Sequence, residues 1–377
     1  MEINISTEFL IRFCQIVLLT SSLIQFVFLF CIQGRLAFFK VEPKSVDRPG
    51  VSVLIAARNE EENLLLNLPS ILEQDYAEFE VIVINDSSVD DSISVLRAFE
   101  AQYSHLRIIN IPENDKYEGG KKYAITLGVK GAKYERLIFT DADCKPVSRK
   151  WIQKVVASRT SEGNIVLGYS PYQKTSGFLN RIVRFDTFHA GLNYLSFALS
   201  GIPYMGVGRN LSYHKSSFFQ VGGFKSHYRL LSGDDDLFVN QVANKANTNI
   251  CLEEESIVES IPENTWRDYW MQKRRHLTTG FKYRLIHRFL LILQPLSLIL
   301  FWLSSLSLLV SHNWVEITLM VIGLRLITQL YIFKRSSRWL GQTDLIALAP
   351  IFEILIVLIT TCAHAVNAVS TRVTWKT

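Results

Sequence analysis

The sequence predicts an α/β domain with a mostly parallel sheet and helices on both faces, held between apolar segments long enough to cross a membrane. Three observations predict it. From Val51 onward, short β-branched runs alternate with amphipathic stretches, the pattern of strand–helix–strand units. Both ends of the 377-residue chain are strongly apolar. Hydrophobic residues make up 48% and charged residues 20%, an oily balance that an ordinary soluble domain does not need.

The first apolar run extends from Phe9 to Ile32, broken only by Arg12 and polar residues such as Gln15 and Gln25. About 20 apolar residues span a bilayer, so the length fits. It exceeds a signal-peptide core and has no clear small-residue cleavage site. Arg35, Lys40 and Lys44 follow it, which places the next segment in the cytoplasm by the positive-inside rule. Residues 1–40 thus read as an N-terminal transmembrane helix. Residues 41–50, with Pro43 and Pro49, read as a linker.

Residues 51–280 form the predicted α/β domain. Strands are expected at Val51–Ala56, Val81–Asn85, Leu106–Ile109, Arg136–Thr140 and Ile165–Gly168, with helices over Glu60–Leu72 and Ser92–Tyr103. Gly177–Ala198 carries an apolar face at helical spacing, beside Arg181 and Arg184. It reads equally as a helix at the lipid headgroups or as a core helix. Residues 281–377 form a C-terminal membrane domain of about three transmembrane or interfacial helices, near Phe289–Val310, Trp314–Phe333 and Asp344–Val369. Lys282, Arg284 and Arg288, and then Lys334, Arg335 and Arg338, fall on the cytoplasmic side of these helices, while Arg372 and Lys376 fall on the other. Arg325, Asp344 and Glu353 are costly if they face lipid.

The net charge of +5 is modest, and the basic residues cluster beside apolar runs. That suits a membrane flank and gives no reason to expect a nucleic-acid partner. The five cysteines include no CxxC pair, so neither a disulfide framework nor a zinc site is expected.

The chemistry concentrates at strand ends. Asp141-Ala142-Asp143 follows the apolar run Leu137-Ile138-Phe139, and places two carboxylates where open α/β sheets bind ligands. Two hard oxygen donors suit Mg²⁺ or Mn²⁺ together with phosphate oxygens. The first strand runs into Ala56-Ala57-Arg58-Asn59-Glu60, and the second into Asn85-Asp86-Ser87-Ser88. Helix N-termini at such turns offer free N–H groups to phosphate. Asp86 is suited to accept a hydrogen bond from a base N–H, although Asp86-Ser87-Ser88 also reads as a plain helix cap. Gly119-Gly120-Lys121-Lys122 precedes a helix without matching a P-loop.

This order of motifs resembles the family 2 glycosyltransferases of the GT-A fold, over roughly 51–280, and the flanking apolar segments resemble membrane-bound members. The resemblance implies that Ala57, Arg58 and Glu60 line a nucleotide pocket, that Asp86 binds the base, usually uracil, and that Lys121 lies near the diphosphate. It implies that Asp141 and Asp143 hold the metal. Gly206-Val-Gly208-Arg-Asn210 and Gly222-Gly223-Phe224 resemble the family's acceptor-side segment, with Gly208 and Asn210 its expected contacts.

Ser232-Gly233-Asp234-Asp235-Asp236-Leu237 resembles the acidic motif that carries the catalytic base. Its spacing to the leucine points to Asp234, with Asp235 as the alternative. Gly233 stands where many members carry glutamate. Three adjacent carboxylates repel one another, so at least one should bind its proton more tightly. Gln272-Lys-Arg-Arg275-His276 resembles the Gln-x-x-Arg-Trp motif of processive members, with His276 in place of the tryptophan. Gln272, Arg274 and Arg275 are therefore expected near the donor or acceptor.

The resemblance implies an inverting, metal-dependent membrane glycosyltransferase. Its donor would be a nucleotide-diphosphate-sugar, UDP-linked by the family's habit. Its acceptor would be a lipid or lipid-linked glycan, and its catalytic domain would lie on the cytoplasmic face of the cell membrane. A processive polysaccharide synthase is the second reading, ranked lower because of His276. A non-catalytic sugar-binding scaffold is the third.

Overall fold

The computed structural model describes residues 5–41, 47–112, 120–159 and 164–369. Pro43, Lys44, Gly119, Arg372 and Lys376 lie outside the described residues. Among the described residues there are nine strands: β1 Val51–Ala57, β2 Phe79–Asp86, β3 Leu106–Ile111, β4 Arg136–Asp141, β5 Cys144–Pro146, β6 Ile165–Leu167, β7 Leu211–His214, β8 Thr248–Ile250 and β9 Val258–Ser260. Seven of them form one sheet in the order β3-β2-β1-β4-β7-β6-β8, and β5 pairs with β9. The first four in chain order run parallel to one another. β7 is antiparallel to both β4 and β6. The five expected strands appear within a few residues of their expected bounds. β7, β8 and the β5–β9 pair carry too few residues for a periodicity to announce them.

Alternation along the strands divides the core. Val51, Val53 and Ile55 of β1, with Val81 and Val83 of β2, pack on one face against Leu64 and Leu68 of the helix Glu61–Leu72. Leu54, Ile82 and Ile84 point the other way, onto Ala124, Ile125 and Val129 of the helix Lys121–Gly131. Covering both faces explains why these strands read as unbroken apolar runs. The chain winds from β1 outward to β2 and β3, then returns across β1 to β4. That reversal opens a crevice at the carboxyl ends of β1 and β4. The register sets Ala56 beside Asp141, and Ala57 beside Asn85.

Among the described residues, four helices are long and apolar enough to cross a membrane: Glu8–Ala37, Leu285–Val310, Val315–Leu340 and Thr343–Val369. The charged residues expected to be costly in lipid are turned inward. Arg325 pairs with Glu353 at 2.6 Å, both at least 94% buried as side chains. Gln329 and Gln25 complete the cluster at 2.9 and 3.0 Å. Asp344 instead grips Arg184 with both oxygens, at 2.7 and 3.1 Å.

Arg184 belongs to the helix Phe178–Leu199, the stretch left open between interface and core. The helix is buried along most of its length and joins the two regions. Phe185 packs edge-on against Phe352, and Phe188 against Phe333, on the apolar C-terminal helices. Tyr194 donates from its hydroxyl to the carbonyl of Gly168, just after β6. One continuous apolar core therefore runs from the sheet through this helix into the membrane-type helices.

Candidate active site

A cavity of about 680 Å³ opens at the carboxyl ends of β1, β2 and β4. Ala57, Arg58, Glu60, Asp86, Lys121, Asp141, Asp143, Gly208, Asp234, Asp235, Gln272 and Arg275 all line it. These residues come from strand ends and the turns after them, the start of the helix Lys121–Gly131, the 206–210 segment, the acidic triplet and the helix Trp266–His276. Chain topology alone brings them together.

The nucleotide side is built from two turns joined to each other. The Asn59 amide donates to Ser88 Oγ, and the Val89 amide to Asn59 Oδ1, both at 2.9 Å. Glu60 and Glu61 amides donate to Ser92 and Asp90. Asn59 and Ser87 both adopt positive φ, at 54°, a strained conformation that the cross-links hold. The helix start expected to be capped by Asp86-Ser87-Ser88 is served instead by Asp90, which accepts from the Ser92 amide. Asp86 Oδ1 is left buried without a partner among the described residues. Burial raises its proton affinity, partly offset by Arg58 and the Gly120 amide. An acceptor so placed suits an N–H donor on a bound base.

Asp141 closes β4, and Asp143 follows in the turn to β5. The turn brings their carboxylates together. Asp141, Asp143 and Cys144 offer ligand atoms that all lie within 4.8 Å of one another. Burial, with Asp143 and Asp141 beside it, holds the Cys144 thiol well above its ordinary pKa. It donates to Asp143 Oδ1, so the donor set is two carboxylates. Hard oxygens open to a cavity fit Mg²⁺ or Mn²⁺.

Lys121 links this pair to the acidic triplet, at 2.9 Å from Asp141 and 3.2 Å from Asp234. Burial opposes its charge, but Asp141, Asp234 and Asp235 outweigh that and raise its pKa. The neighbouring Lys122 does something else. Its ammonium donates to the carbonyls of His227, Leu230 and Ser232 at 2.6–2.9 Å, pinning the loop that leads into the triplet.

The three aspartates differ in environment. Burial raises the proton affinity of Asp234, but the charge and hydrogen bond of Lys121 bring the net below the usual value. Asp235 accepts from the Gly208 amide at 2.7 Å. Burial, then the charges of Asp234 and Asp236, push its pKa up to about 7. Asp236 is buried and accepts from Thr279 and Tyr283, so it ties the triplet to the segment before the Leu285–Val310 helix. A Cβ on Gly208 would stand 3.4 Å from Asp235 Oδ2, so any larger side chain there would grow towards the carboxylate. Gly222 and Gly223 adopt φ of 73° and 63°, a turn that glycine makes without strain.

Two expected contacts lie elsewhere. Asn210 does not line the cavity. Its side chain accepts from Trp151 and donates to the carbonyls of Tyr169 and Ser256, a buried clamp beneath the 206–210 segment. Arg274 turns away and donates to Asn367 on the last apolar helix, because successive helical residues point about 100° apart. Gln272 accepts from Tyr172 and donates to Glu263. His276, at the place of the tryptophan, also lines the cavity.

Sequence reasoning missed Arg209, Tyr172, Asp186 and Lys273. Lys273 pairs with Asp186 at 2.6 Å, and Tyr269 donates to the same carboxylate. The available signal for Asp186 was a lone acid on an otherwise apolar helical face.

A profile of Glycosyl transferase family 21 matches residues 14–377. The chain belongs to glycosyl transferase family 21. The resemblance to membrane-bound GT-A glycosyltransferases read from the motifs therefore holds, and the family number its match carries is 21. This family 21 chain is 34% identical over 110 residues to a poly-beta-1,6-N-acetyl-D-glucosamine synthase of Staphylococcus epidermidis, over 29% of this chain and 25% of that protein. It is 25% identical over 200 residues to the 4,4'-diaponeurosporenoate glycosyltransferase of Staphylococcus aureus (strain USA300), over 50% of each. The matched stretches thus span a quarter to a half of these relatives. Among solved structures, a mannosyltransferase from Pyrobaculum calidifontis, in complex with GDP-Man and Mn²⁺, superposes with a TM-score of 0.59 at 16% identity, covering 92% of this chain and 99% of that one. That likeness establishes the GT-A fold for the family 21 chain. It is a transferase with four apolar helices of membrane-spanning length.

Proposed function

We propose that this transferase moves a sugar from a nucleotide-diphosphate-sugar, most simply a UDP-sugar, to a hydroxyl of a lipid or lipid-linked glycan, with inversion. One observation carries the reading: two metal-type carboxylates and an acidic triplet face one cavity and share Lys121. The named ligands and products of the similar proteins agree in kind: a GDP-sugar with Mn²⁺, a glycan polymer, and a diaponeurosporenoate. In this reading the catalytic domain, 51–280, faces the cytoplasm at the cell's inner membrane, anchored by residues 1–40, through the linker 41–50, and by residues 281–377.

Asp141 and Asp143 would hold Mg²⁺ or Mn²⁺, which supplies positive charge for the departing diphosphate. Asp86 accepts the N–H of the base, and Ala57, Arg58 and Glu60 border it. Lys121 and Arg275 supply further cations. Asp235 is the better candidate for the base than Asp234. It has no cation partner among the described residues, and its raised proton affinity suits removal of a hydroxyl proton. Asp234, held ionised by Lys121, orients that lysine. The acceptor would approach past the helix Phe178–Leu199, whose Val183, Asp186 and Ala190 form one wall of the cavity.

The decisive experiment offers the full chain in detergent a panel of UDP- and GDP-sugars with Mn²⁺ and a lipid extract. Asp235→Asn should lower transfer about a thousandfold and leave donor binding intact. Undiminished transfer by Asp235→Asn, with loss in Asp234→Asn, would return the base to Asp234. Turnover unaffected by chelator would remove the metal from the reading. A polymeric product in the same assay would favour the processive alternative, and donor binding without any transfer the scaffold.

A further inference from the structure

Arg209 sits on a short turn, Gly208–Asn210, fixed on both sides. Before it, the Gly208 amide is held by Asp235. After it, the Asn210 side chain is clamped beneath by Trp151, Tyr169 and Ser256. The guanidinium lies 4.4 Å over the ring of Tyr172, and that ring is steadied by the hydroxyl's hydrogen bond to Gln272. Arg209 is thus placed by backbone anchors and a stacking platform, which leaves its N–H groups free for another partner.

Among the described residues it has none. Its Nη1 is buried without a hydrogen bond, and no ion pair involves it. The nearby acids do not supply one: Asp143 accepts from Ser260 and Cys144, and Asp141 pairs with Lys121. A buried guanidinium N–H without a partner is costly. A structural arginine so close to two carboxylates would normally be paired. The arrangement makes sense when the missing partner is an anion that arrives in the cavity. Lys121 pairs with Asp141, Arg209 lies within electrostatic reach of Cys144, Asp143 and Asp141, and both cations line the same cavity as the carboxylate pair. The two cations therefore border the cavity where a diphosphate would meet the carboxylate pair.

Building on the glycosyltransferase reading, we propose that Arg209 is a binding residue for the diphosphate of the donor, gripping the sugar-bearing phosphate with the planar fork of the guanidinium. Fork geometry matches phosphate oxygens in a way that a lysine ammonium does not. Arg209 would stabilise the charge that the leaving diphosphate acquires when the sugar departs.

The test compares binding of UDP and UMP, and of GDP and GMP, with Mn²⁺ present, to the full chain in detergent as wild type, Arg209→Gln and Arg209→Lys. Arg209→Gln should weaken the diphosphates roughly tenfold to a hundredfold and leave the monophosphates within about twofold. Arg209→Lys, which keeps charge and bulk but loses the fork, should fall between. It carries the test alone if Arg209→Gln does not fold. An equal loss for di- and monophosphates would mean that Arg209 only shapes the pocket, and would overturn the proposal. Unchanged diphosphate affinity would overturn it as well, leaving the arginine to the acceptor. Wild-type protein that binds no nucleotide would remove the transferase reading itself, and this proposal with it.

Discussion

At the scale of single residues, the site works by giving identical side chains different surroundings. Asp234, Asp235 and Asp236 are consecutive, yet one is held by a lysine, one by a backbone amide, and one by two hydroxyls. Asp235 and Asp236 both have raised proton affinity and both reach the cavity wall, but Asp236 is taken up by the hydroxyls of Thr279 and Tyr283, whereas Asp235, at about 7, is held by backbone amides. A general base must be unprotonated to act, so a raised pKa means loss of activity as pH falls through it. At saturating donor, kcat should be level above about pH 7.5 and fall close to tenfold per unit below pH 6.5. A flat profile from pH 5.5 to 8 would show that no group with this titration serves as base. Residue types and spacing were enough to single out the triplet. They did not rank its members, because the ranking depends on Lys121 and Gly208, which reach the triplet only through the fold.

At the scale of elements, adjacent lysines at the start of one helix divide their labour. Lys121 faces the cavity, and Lys122 is buried beneath the loop 227–232, where it donates to three carbonyls. Lys122→Met should cost about 2–3 kcal/mol of stability through the stranded carbonyls. It should lower kcat more than it raises the donor KM, because the loosened loop leads into the acidic triplet proposed to hold the base. Lys121→Met should do the reverse and raise the donor KM first. Thermal melts beside steady-state kinetics of the two variants separate these outcomes, and matching profiles would refute the division. The strand ends and the glycine–lysine turn could be read from the chain, since β-branched runs and turn residues are local signals. The antiparallel β7 and the clamp formed by Asn210 could not. Each depends on partners far along the chain: β4 and β6 for the strand, Trp151 and Ser256 for the asparagine.

At the scale of the whole molecule, the catalytic cavity and the membrane-type helices share one core. The helix Phe178–Leu199 lines the cavity with Asp186 and Ala190 and packs Phe185 and Phe188 against the apolar C-terminal helices. Beyond it, Arg325, Glu353, Gln25 and Gln329 draw three of the four long apolar helices together. Glu353→Leu alone should strand a buried guanidinium and cost about 3–5 kcal/mol. The double variant Arg325→Leu with Glu353→Leu should be more stable than either single one. Thermal unfolding in detergent measures this, and simple additivity of the two losses would show that the pair does not interact.

Local composition and order settled much of this from the chain alone: a parallel α/β domain, four apolar segments, and acids at strand ends. These follow from periodicity and from chemistry carried within a few residues. Which aspartate has its proton affinity raised and which lowered, which of two lysines meets the site, and that Arg209 has no ion-pair partner among the described residues were decided by the folded chain. The physical reason is that burial, charge pairing and hydrogen-bond satisfaction are properties of neighbours in space. Those neighbours come from segments up to about a hundred residues apart, which no local pattern joins.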